Sequence, residues 1–216
     1  MTNDPHAGGD VLQAGVPLDK ADLAVVLLHG RGGSAEDILE LGSAFRLPNV
    51  AYFAPQATGH TWYPLSFLAP QETNEPYLSS ALAKVESVVR SLEQAGFGRE
   101  RVVVAGFSQG ACMATEFVAN HAARYGGLIA FTGGLIGPPG SLRHSPAGKL
   151  VGTPVLLCSG DPDPHVPWTR VEESAAILSA MGAKVTTKRY PGRSHTITQE
   201  EVELARNLLL QICDSR

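Results

Sequence analysis

The stretch VVVAGFSQG, residues 102–110, decides the fold of this chain. Its apolar first half predicts a buried strand, and a helical pattern begins directly after it. Between them, Gly106-Phe107-Ser108-Gln109-Gly110 forms a G-x-S-x-G motif. In this context the motif predicts a tight strand-to-helix turn that exposes the serine hydroxyl, with the helix N-terminus favouring negative charge beside it. The alternative is an ordinary glycine-flanked turn.

Five further apolar runs predict strands on either side of this one. They are residues 23–29, 50–55, 128–132, 154–159 and 184–190. Most are continuous rather than alternating, which is typical of parallel strands covered on both faces. We therefore predict an α/β fold, a three-layer sandwich around a mostly parallel sheet.

Helical patterns lie between the strands. Capping boxes at Ser34 and Thr198 open the first and last helices, and Asn74 is expected to cap the second. The predicted helices span residues 35–45, 75–94, 109–124, 168–181 and 199–212. Strand and helix thus alternate along the chain, as an α/β fold requires.

Composition excludes several classes of function. The chain has 216 residues and a formal net charge of -4, so a single domain, 1–216, without a nucleic-acid partner is expected. The first fifteen residues are polar and are expected to be a flexible N-terminal tail. They show no signal-peptide pattern, and no apolar run is long enough for a membrane helix. We therefore expect a cytoplasmic protein without stable membrane insertion, and a homodimer stays open.

Three cysteines, Cys112, Cys158 and Cys213, are too few and too scattered for a disulfide framework or a zinc site. We expect buried thiols and no metal. Cys112 is the one closest to the serine motif, one helical turn further on, and should point into the packing.

A serine hydroxyl needs a base to become a nucleophile, and the base needs an orienting acid. His195 follows the last predicted strand and lies at the same sheet edge as Ser108. Asp161 and Asp163 both follow the strand at 154–159, and their spacing does not choose between them. The order Ser, Asp, His is that of α/β-hydrolases. The other histidines lie in the N-terminal segment, a helix, the long loops or other motifs, namely His6, His29, His60, His121, His144 and His165.

The turn His29-Gly30-Arg31-Gly32-Gly33 follows the first apolar run. A glycine-rich turn here lets a backbone N–H point at a reacting carbonyl oxygen, so the N–H groups of Arg31 and Gln109 are the expected oxyanion hole. A phosphate-binding turn is the alternative, but neither G-x-G-x-x-G nor GK[ST] is present. The Arg31 side chain would contact an anionic substrate group or be solvated, and we expect it to be solvated.

Two long loops, 56–73 and 133–153, follow strands and should rim the carboxyl edge of the sheet. We expect their apolar residues to bind the acyl group of a substrate, although loop anchoring is an alternative for the aromatic ones. The candidate substrate-binding residues are Trp62, Tyr63, Phe67 and Leu68, with Leu135 and Ile136 opposite.

Taken together, the motifs resemble the phospholipase/carboxylesterase family of α/β-hydrolases, which includes acyl-protein thioesterases and small bacterial esterases. The pieces that carry the likeness are LLHGRGG (27–33), APQ (54–56), GFSQGA (106–111), GGLIG (133–137), the G-x-x-D-x-x-V-P frame (160–167) and GRSH (192–195). The resemblance implies Ser108 as nucleophile, His195 as base and Asp163, rather than Asp161, as acid. It also supports Arg31 and Gln109 as oxyanion donors.

The resemblance implies a serine carboxylesterase acting on short- to medium-chain esters through an acyl-enzyme on Ser108, with no cofactor and a small-molecule ester as its partner. The stretch TWYP (61–64) looks closer to bacterial esterases than to eukaryotic thioesterases. The segment between the serine and acid motifs leaves no room for an inserted lid domain. An acyl thioesterase or lysophospholipase is the alternative, and a non-catalytic binding protein of the same fold is a further one. Dienelactone-type hydrolases usually carry a cysteine where this chain has Ser108.

Overall fold

A computed structural model describes residues 4–142 and 149–214 of the chain. Within these ranges the chain forms one sheet of seven strands and five α-helices. The strands are β1 (Val11–Gly15), β2 (Leu23–Leu28), β3 (Val50–Pro55), β4 (Val102–Phe107), β5 (Gly127–Phe131), β6 (Pro154–Asp161) and β7 (Lys184–Pro191). The helices are α1 (Ala35–Ala44), α2 (Tyr77–Gln94), α3 (Gln109–Asn120), α4 (Trp168–Ala180) and α5 (Gln199–Asp214).

The sheet is parallel from β2 to β7, and its helices cover both faces. The strand order is β1-β3-β2-β4-β5-β6-β7, and only the pairing of β1 with β3 is antiparallel. Helices α2, α3 and α4 pack on one face, and α1 and α5 pack on the other. Every residue of β2 is buried because neighbouring side chains enter opposite cores. The three-layer α/β-hydrolase sandwich predicted from the sequence is confirmed.

The sheet has a topological switch point at β2. From β2 the chain passes through α1 to β3 on one side, and then through α2 to β4 on the other side. The loops that leave β2 and β4 at their carboxyl ends therefore diverge onto opposite faces. A crevice opens between such loops, which is where ligands bind in open α/β sheets.

The prediction of a flexible tail for residues 1–15 is wrong in its described part, residues 4–15. Val11–Gly15 forms the strand β1, which pairs with β3 in the register Val11↔Pro55. His6 has 0% of its surface exposed. The stretch was missed because β1 is a short, half-buried edge strand whose order comes from its partner strand rather than from a local apolar run.

Helix α2 begins without the predicted cap. Its first residue is Tyr77, and Asn74 makes no capping bond to it. Instead the buried Asn74 amide accepts a hydrogen bond from the N–H of Leu65 at 2.8 Å and donates one to the carbonyl of Ser66 at 3.1 Å. The residue thus ties the loop 56–73 together. The capping box at Ser34 is formed as predicted.

The capping box predicted at Thr198 is confirmed, but the predicted end of the helix after Ser108 is not. Thr198 and Glu201 exchange capping hydrogen bonds at the start of α5. Helix α3 ends at Asn120, earlier than the predicted end at 124, because the backbone of His121 leaves the helical region. Among the described residues, no helix combines the length and apolar character needed to cross a bilayer.

Candidate active site

The serine turn between β4 and α3 is held in a strained conformation. Ser108 has φ 54° and ψ -118°, a combination that L-residues rarely adopt. The turn packs so tightly that a Cβ on Gly106 would lie 2.4 Å from the carbonyl oxygen of Gly110, and one on Gly110 would lie 2.1 Å from that of Leu28. Both glycines of the motif are therefore required by close approach of the backbone. The backbone N–H of Ser108 donates to the carbonyl of Phe131 at 2.9 Å, which fixes the turn against β5.

A continuous chain of hydrogen bonds links this serine to the last loop of the sheet edge. Ser108 Oγ lies 2.9 Å from His195 Nε2. On the other side of the ring, His195 Nδ1 lies 2.9 Å from Asp163 Oδ2. These contacts place the ring proton on Nδ1 and leave Nε2 as the acceptor for the serine hydroxyl. This arrangement can remove the serine proton and stabilise the resulting imidazolium.

The acid that the structure brings to His195 is Asp163. Its Oδ1 accepts hydrogen bonds at 2.9 Å from the backbone N–H groups of His165 and Val166. Burial raises the pKa of this carboxyl, but the hydrogen bonds from His195, Val166 and His165 outweigh it, so its pKa lies below the ordinary value. The competing Asp161 pairs instead with Arg189 at the surface.

The loop that carries His195 is anchored by Arg193, a residue that sequence reasoning did not single out. The guanidinium donates to Thr132 Oγ1 at 2.8 Å and faces the fully buried Glu201 at 3.5 Å. The backbone of the loop crosses directly over β6, since a Cβ on Gly160 would lie 2.6 Å from the carbonyl oxygen of Arg193. An arginine two residues before a candidate base, followed by an acidic residue in the next helix, is a weak signal on its own.

The two expected oxyanion residues, Arg31 and Gln109, line one cavity together with Ser108 and His195. Arg31 is exposed, in line with the expected solvation, but its side chain is also bonded to the protein. Its guanidinium donates to the carbonyls of Pro64 at 2.9 Å and Leu65 at 2.7 Å, and so ties the turn after β2 to the loop 56–73.

The side chain of Gln109 makes the same kind of tie from the other side of the crevice. Its Oε1 accepts from the N–H of Trp62 at 2.9 Å, and its Nε2 donates to the carbonyl of Tyr63 at 2.8 Å. Both expected oxyanion residues are therefore fastened through their side chains to the stretch 61–65. This second role of Gln109 was not predicted.

His29 and Gln56 fix the turn from beneath. Burial lowers the pKa of His29, so its ring is neutral. Its Nδ1–H donates to the carbonyl of Gly30 at 2.8 Å, while Nε2 accepts from the N–H of Ala57 at 3.2 Å. Gln56 accepts from the N–H of Ala35, the first residue of α1, at 2.8 Å. The APQ and HG motifs thus have a structural purpose.

The side chains of the two described loop histidines, His60 and His165, make none of the hydrogen bonds that link Ser108, His195 and Asp163. His60 bonds through Nδ1 to the carbonyl of Gly33 at 2.8 Å, which secures the glycine turn from outside. His165 lies at the rim, its ring 4.8 Å from that of His195. His144 lies outside the described residues.

The cavity around Ser108 has a volume of about 720 Å³. Three of the six residues predicted to bind substrate, Tyr63, Phe67 and Leu68, line it. The walls that were not predicted come from the serine turn, the acid loop and the loop 56–73, and include Leu65, Phe107, Cys112, Pro164, His165 and Val166. Cys112 is buried, as expected, and burial raises the pKa of its thiol to about 12.

The other three predicted substrate-binding residues lie outside this cavity. Trp62 is fully buried, and its indole N–H donates to the carbonyl of His29 at 2.8 Å. Leu135 is fully buried, and its carbonyl accepts from the Arg170 guanidinium at 2.7 Å. Ile136 borders a second cavity instead. In all three, a buried polar side chain holds the backbone, and the apolar side chain lies in the core.

The profile of a family described as Phospholipase/Carboxylesterase matches residues 13–212. The chain belongs to the phospholipase/carboxylesterase family. A crystal structure of a phospholipase/carboxylesterase from Dyadobacter fermentans superposes with a TM-score of 0.90 at 48% identity, covering 94% of this chain and 97% of that chain.

Three curated relatives are similar to the chain at lower sequence identity. A probable carboxylesterase from Oryza sativa subsp. japonica is 30% identical over 197 residues, covering 82% of this chain and 73% of that protein. Acyl-protein thioesterase 1 from Gibberella zeae is 32% identical over 109 residues, covering 50% of this chain and 46% of that protein. The putative esterase NocK from Nocardia uniformis is 29% identical over 201 residues, covering 91% of this chain and 52% of that protein. The chain thus spans about half the length of the last two relatives.

The GGLIG stretch, residues 133–137, packs against helix α3. A Cβ on Gly133 would lie 2.4 Å from that of Ala111, so the stretch passes directly against the start of α3. The N–H of Ile136 donates to the buried Glu116 carboxylate at 2.9 Å. The motif therefore seats the helix that follows the serine.

Proposed function

We propose that the chain is a serine carboxylesterase that hydrolyses short- to medium-chain carboxylic esters through an acyl-enzyme on Ser108. The single observation that carries the proposal is the unbroken hydrogen-bond chain from Ser108 through His195 to Asp163, with 2.9 Å at each step. It lies in a cleft of a size that suits small molecules, for which about 300–1,000 Å³ is typical. Membership of the phospholipase/carboxylesterase family supports it.

In the acylation step, His195 Nε2 takes the proton of Ser108 as its oxygen attacks the ester carbonyl carbon. Asp163, ionised because its pKa is lowered, stabilises the imidazolium. The tetrahedral intermediate then collapses, the carbon–oxygen bond to the alcohol breaks, and His195 returns the proton to the leaving alcohol. Water repeats the sequence on the acyl-enzyme and releases the acid and Ser108.

The backbone N–H groups of Arg31 and Gln109 stabilise the negative charge on the carbonyl oxygen by hydrogen bonds. Each such donor typically contributes about 10²–10³ in rate, provided that it is fixed before the reaction. The side-chain ties of both residues to the stretch 61–65 supply that rigidity here.

The acyl chain lies against Tyr63, Phe67 and Leu68 in this proposal. The cleft opens at the surface beside the exposed Leu65, and no inserted domain closes it within the described residues. An open cleft of this size covers short and medium chains better than long ones, whose ends would remain in water.

A fluorophosphonate probe and a panel of p-nitrophenyl esters from acetate to palmitate test the proposal. Wild type should react with the probe, Ser108→Ala should not, and kcat/KM should peak between acetate and octanoate. Equal labelling of Ser108→Ala would refute the nucleophile. A folded wild type without turnover on any ester would favour a binding protein of this fold.

A thioester is the second candidate substrate, because one curated relative is named acyl-protein thioesterase. The chemistry is the same, with a thiol as leaving group. Esters and thioesters of one acyl group, compared by kcat/KM, separate the two, and lysophosphatidylcholine as a third substrate tests lysophospholipase activity. A preference for the thioester above about tenfold would replace the carboxylesterase proposal.

A further inference from the structure

The N-terminal segment 4–9 packs against the loop that fastens both oxyanion residues, and His6 is its point of contact. We propose that His6 is a positioning residue for the oxyanion-binding N–H groups of Arg31 and Gln109. The inference rests on the proposed function, because it assigns His6 to the same reaction.

His6 is fully buried, and each of its polar atoms has a partner. Its backbone N–H donates to Ser80 Oγ at 2.8 Å, in α2. Its Nε2 lies 2.9 Å from the carbonyl oxygen of Trp62, and its Nδ1 accepts from the N–H of Thr58 at 3.1 Å. This pairing places the ring proton on Nε2. Burial lowers the pKa of His6, in agreement with a neutral ring that both donates and accepts.

Trp62 links His6 to both sides of the crevice through hydrogen bonds. Its carbonyl accepts from His6, its N–H donates to Gln109 Oε1 at 2.9 Å, and its indole N–H donates to the carbonyl of His29 at 2.8 Å. One residue therefore touches the donor after the serine and the turn that holds the donor at Arg31. A shift of Trp62 moves both.

Two further contacts of the N-terminal segment accompany the hydrogen bonds of the His6 ring. The rings of His6 and Trp62 lie 5.8 Å apart between centroids, and the hydroxyl of Thr58 donates to the carbonyl of Pro5 at 2.7 Å, beside His6. Within the stretch 58–62, Thr58–His60 forms a one-turn 3-10 helix with positive φ at Gly59 and His60, a conformation that needs support from outside. His6 supplies two of those supports.

Oxyanion stabilisation depends on donors fixed to within a fraction of an ångström, and a misplacement of about 1 Å can cost about 10²-fold. Because His6 positions the donors and is not itself one, His6→Ala should lower kcat about 10-fold to 100-fold at nearly unchanged KM. The N–H groups contact the oxygen fully only in the transition state, so substrate binding is spared.

Two conservative variants separate the contributions of the two ring nitrogens of His6. His6→Gln can keep a donor where Nε2 reaches Trp62, and His6→Asn can keep an acceptor where Nδ1 meets Thr58. We expect glutamine to rescue kcat more than asparagine, because the bond to Trp62 lies closer to the oxyanion residues. His121→Ala is the matched control. It also removes a half-buried histidine stacked on an aromatic ring, at the far end of α3, and should leave kcat unchanged.

A readout independent of turnover is the hydrogen exchange of the Trp62 indole N–H, followed by NMR and compared with the backbone amides of β5. In His6→Ala the indole should exchange at least about tenfold faster while the β5 amides keep their protection. A merely structural role would speed both equally, through global unfolding.

The outcomes are distinguishable. Faster indole exchange together with a lower kcat supports the proposal. Unchanged indole exchange, equal acceleration of the β5 amides, or unchanged kcat in His6→Ala would each overturn it. If wild type hydrolyses no ester, the proposed function fails, and the exchange measurement alone decides whether His6 holds Trp62.

Discussion

Replacing Asp163 with asparagine should move the ring proton of His195 from Nδ1 to Nε2, in addition to removing a negative charge. The backbone N–H groups of His165 and Val166 both point at Oδ1, at 2.9 Å, and will hold the amide oxygen of the asparagine there. Its NH₂ group is then left where Oδ2 was, 2.9 Å from His195 Nδ1. A donor at that place forces Nδ1 to accept and moves the ring proton to Nε2, the atom that must take the serine proton.

The size of the effect follows from this geometry. A base that already carries a proton on the reacting nitrogen cannot act, and triads with this change lose about 10⁴ in kcat. A 10⁴-fold loss corresponds to about 5.5 kcal/mol of transition-state stabilisation, at about 1.4 kcal/mol per tenfold. The proposed oxyanion donors and the cleft are untouched, so KM should change little.

Asp161→Asn is the matched control for this experiment. Asp161 precedes the same loop and pairs with Arg189 at the surface, where an ion pair contributes about 0–1 kcal/mol. Initial rates on p-nitrophenyl butyrate, with circular dichroism to verify folding, should give full activity for Asp161→Asn and a residual of about 10⁻⁴ for Asp163→Asn. Activity of Asp163→Asn within tenfold of wild type would refute the reasoning.

Three further predictions concern stability. The folded-state pKa of Asp163 is lowered, so the ionised carboxylate stabilises the fold above its unfolded pKa of about 3.9. This contribution is lost as pH falls through the folded pKa. The free energies of unfolding of wild type and Asp163→Asn, measured in urea, should therefore differ at pH 6 and converge toward pH 2. Gly110→Ala would place a Cβ 2.1 Å from the carbonyl oxygen of Leu28, so urea midpoints should show a loss of about 3 kcal/mol or more, and a neutral result would contradict the tight packing. Arg193→Met leaves the buried Glu201 carboxylate unpaired and should cost about 3–5 kcal/mol, with Glu201→Gln in the same chain restoring part of it; a double variant no more stable than Arg193→Met would show that the pair is uncoupled.

The sequence predicts the central fold because the inner strands, such as β2, β3, β4 and β5, are buried on both faces. The all-buried strands β2 and β3 coincide with continuous apolar runs, and the serine motif lies between the predicted strand and helix. The choice between Asp161 and Asp163 could not be made from spacing. It depends on a turn in which two backbone N–H groups converge on one carboxylate oxygen, and the resemblance to a family supplied it first.

What could not be predicted depends on contacts between distant parts of the chain. His6 lies in a polar segment and becomes buried only because α2 and the loop 56–73 close over it. Leu135 is apolar in a loop, which suggests a substrate contact, but the buried Arg170 decides where its backbone goes. In both cases a long-range polar contact overrides the local pattern.

The left-handed backbone at Ser108 has a consequence for the history of such a protein. Strain of this kind typically amounts to about 1–3 kcal/mol, and a glycine there would relieve much of it. A lineage that no longer needed the hydroxyl could thus drift to glycine and keep a fold at least as stable. The backbone therefore does not call for a serine at this position, and in the proposed function only the reactivity of its hydroxyl does.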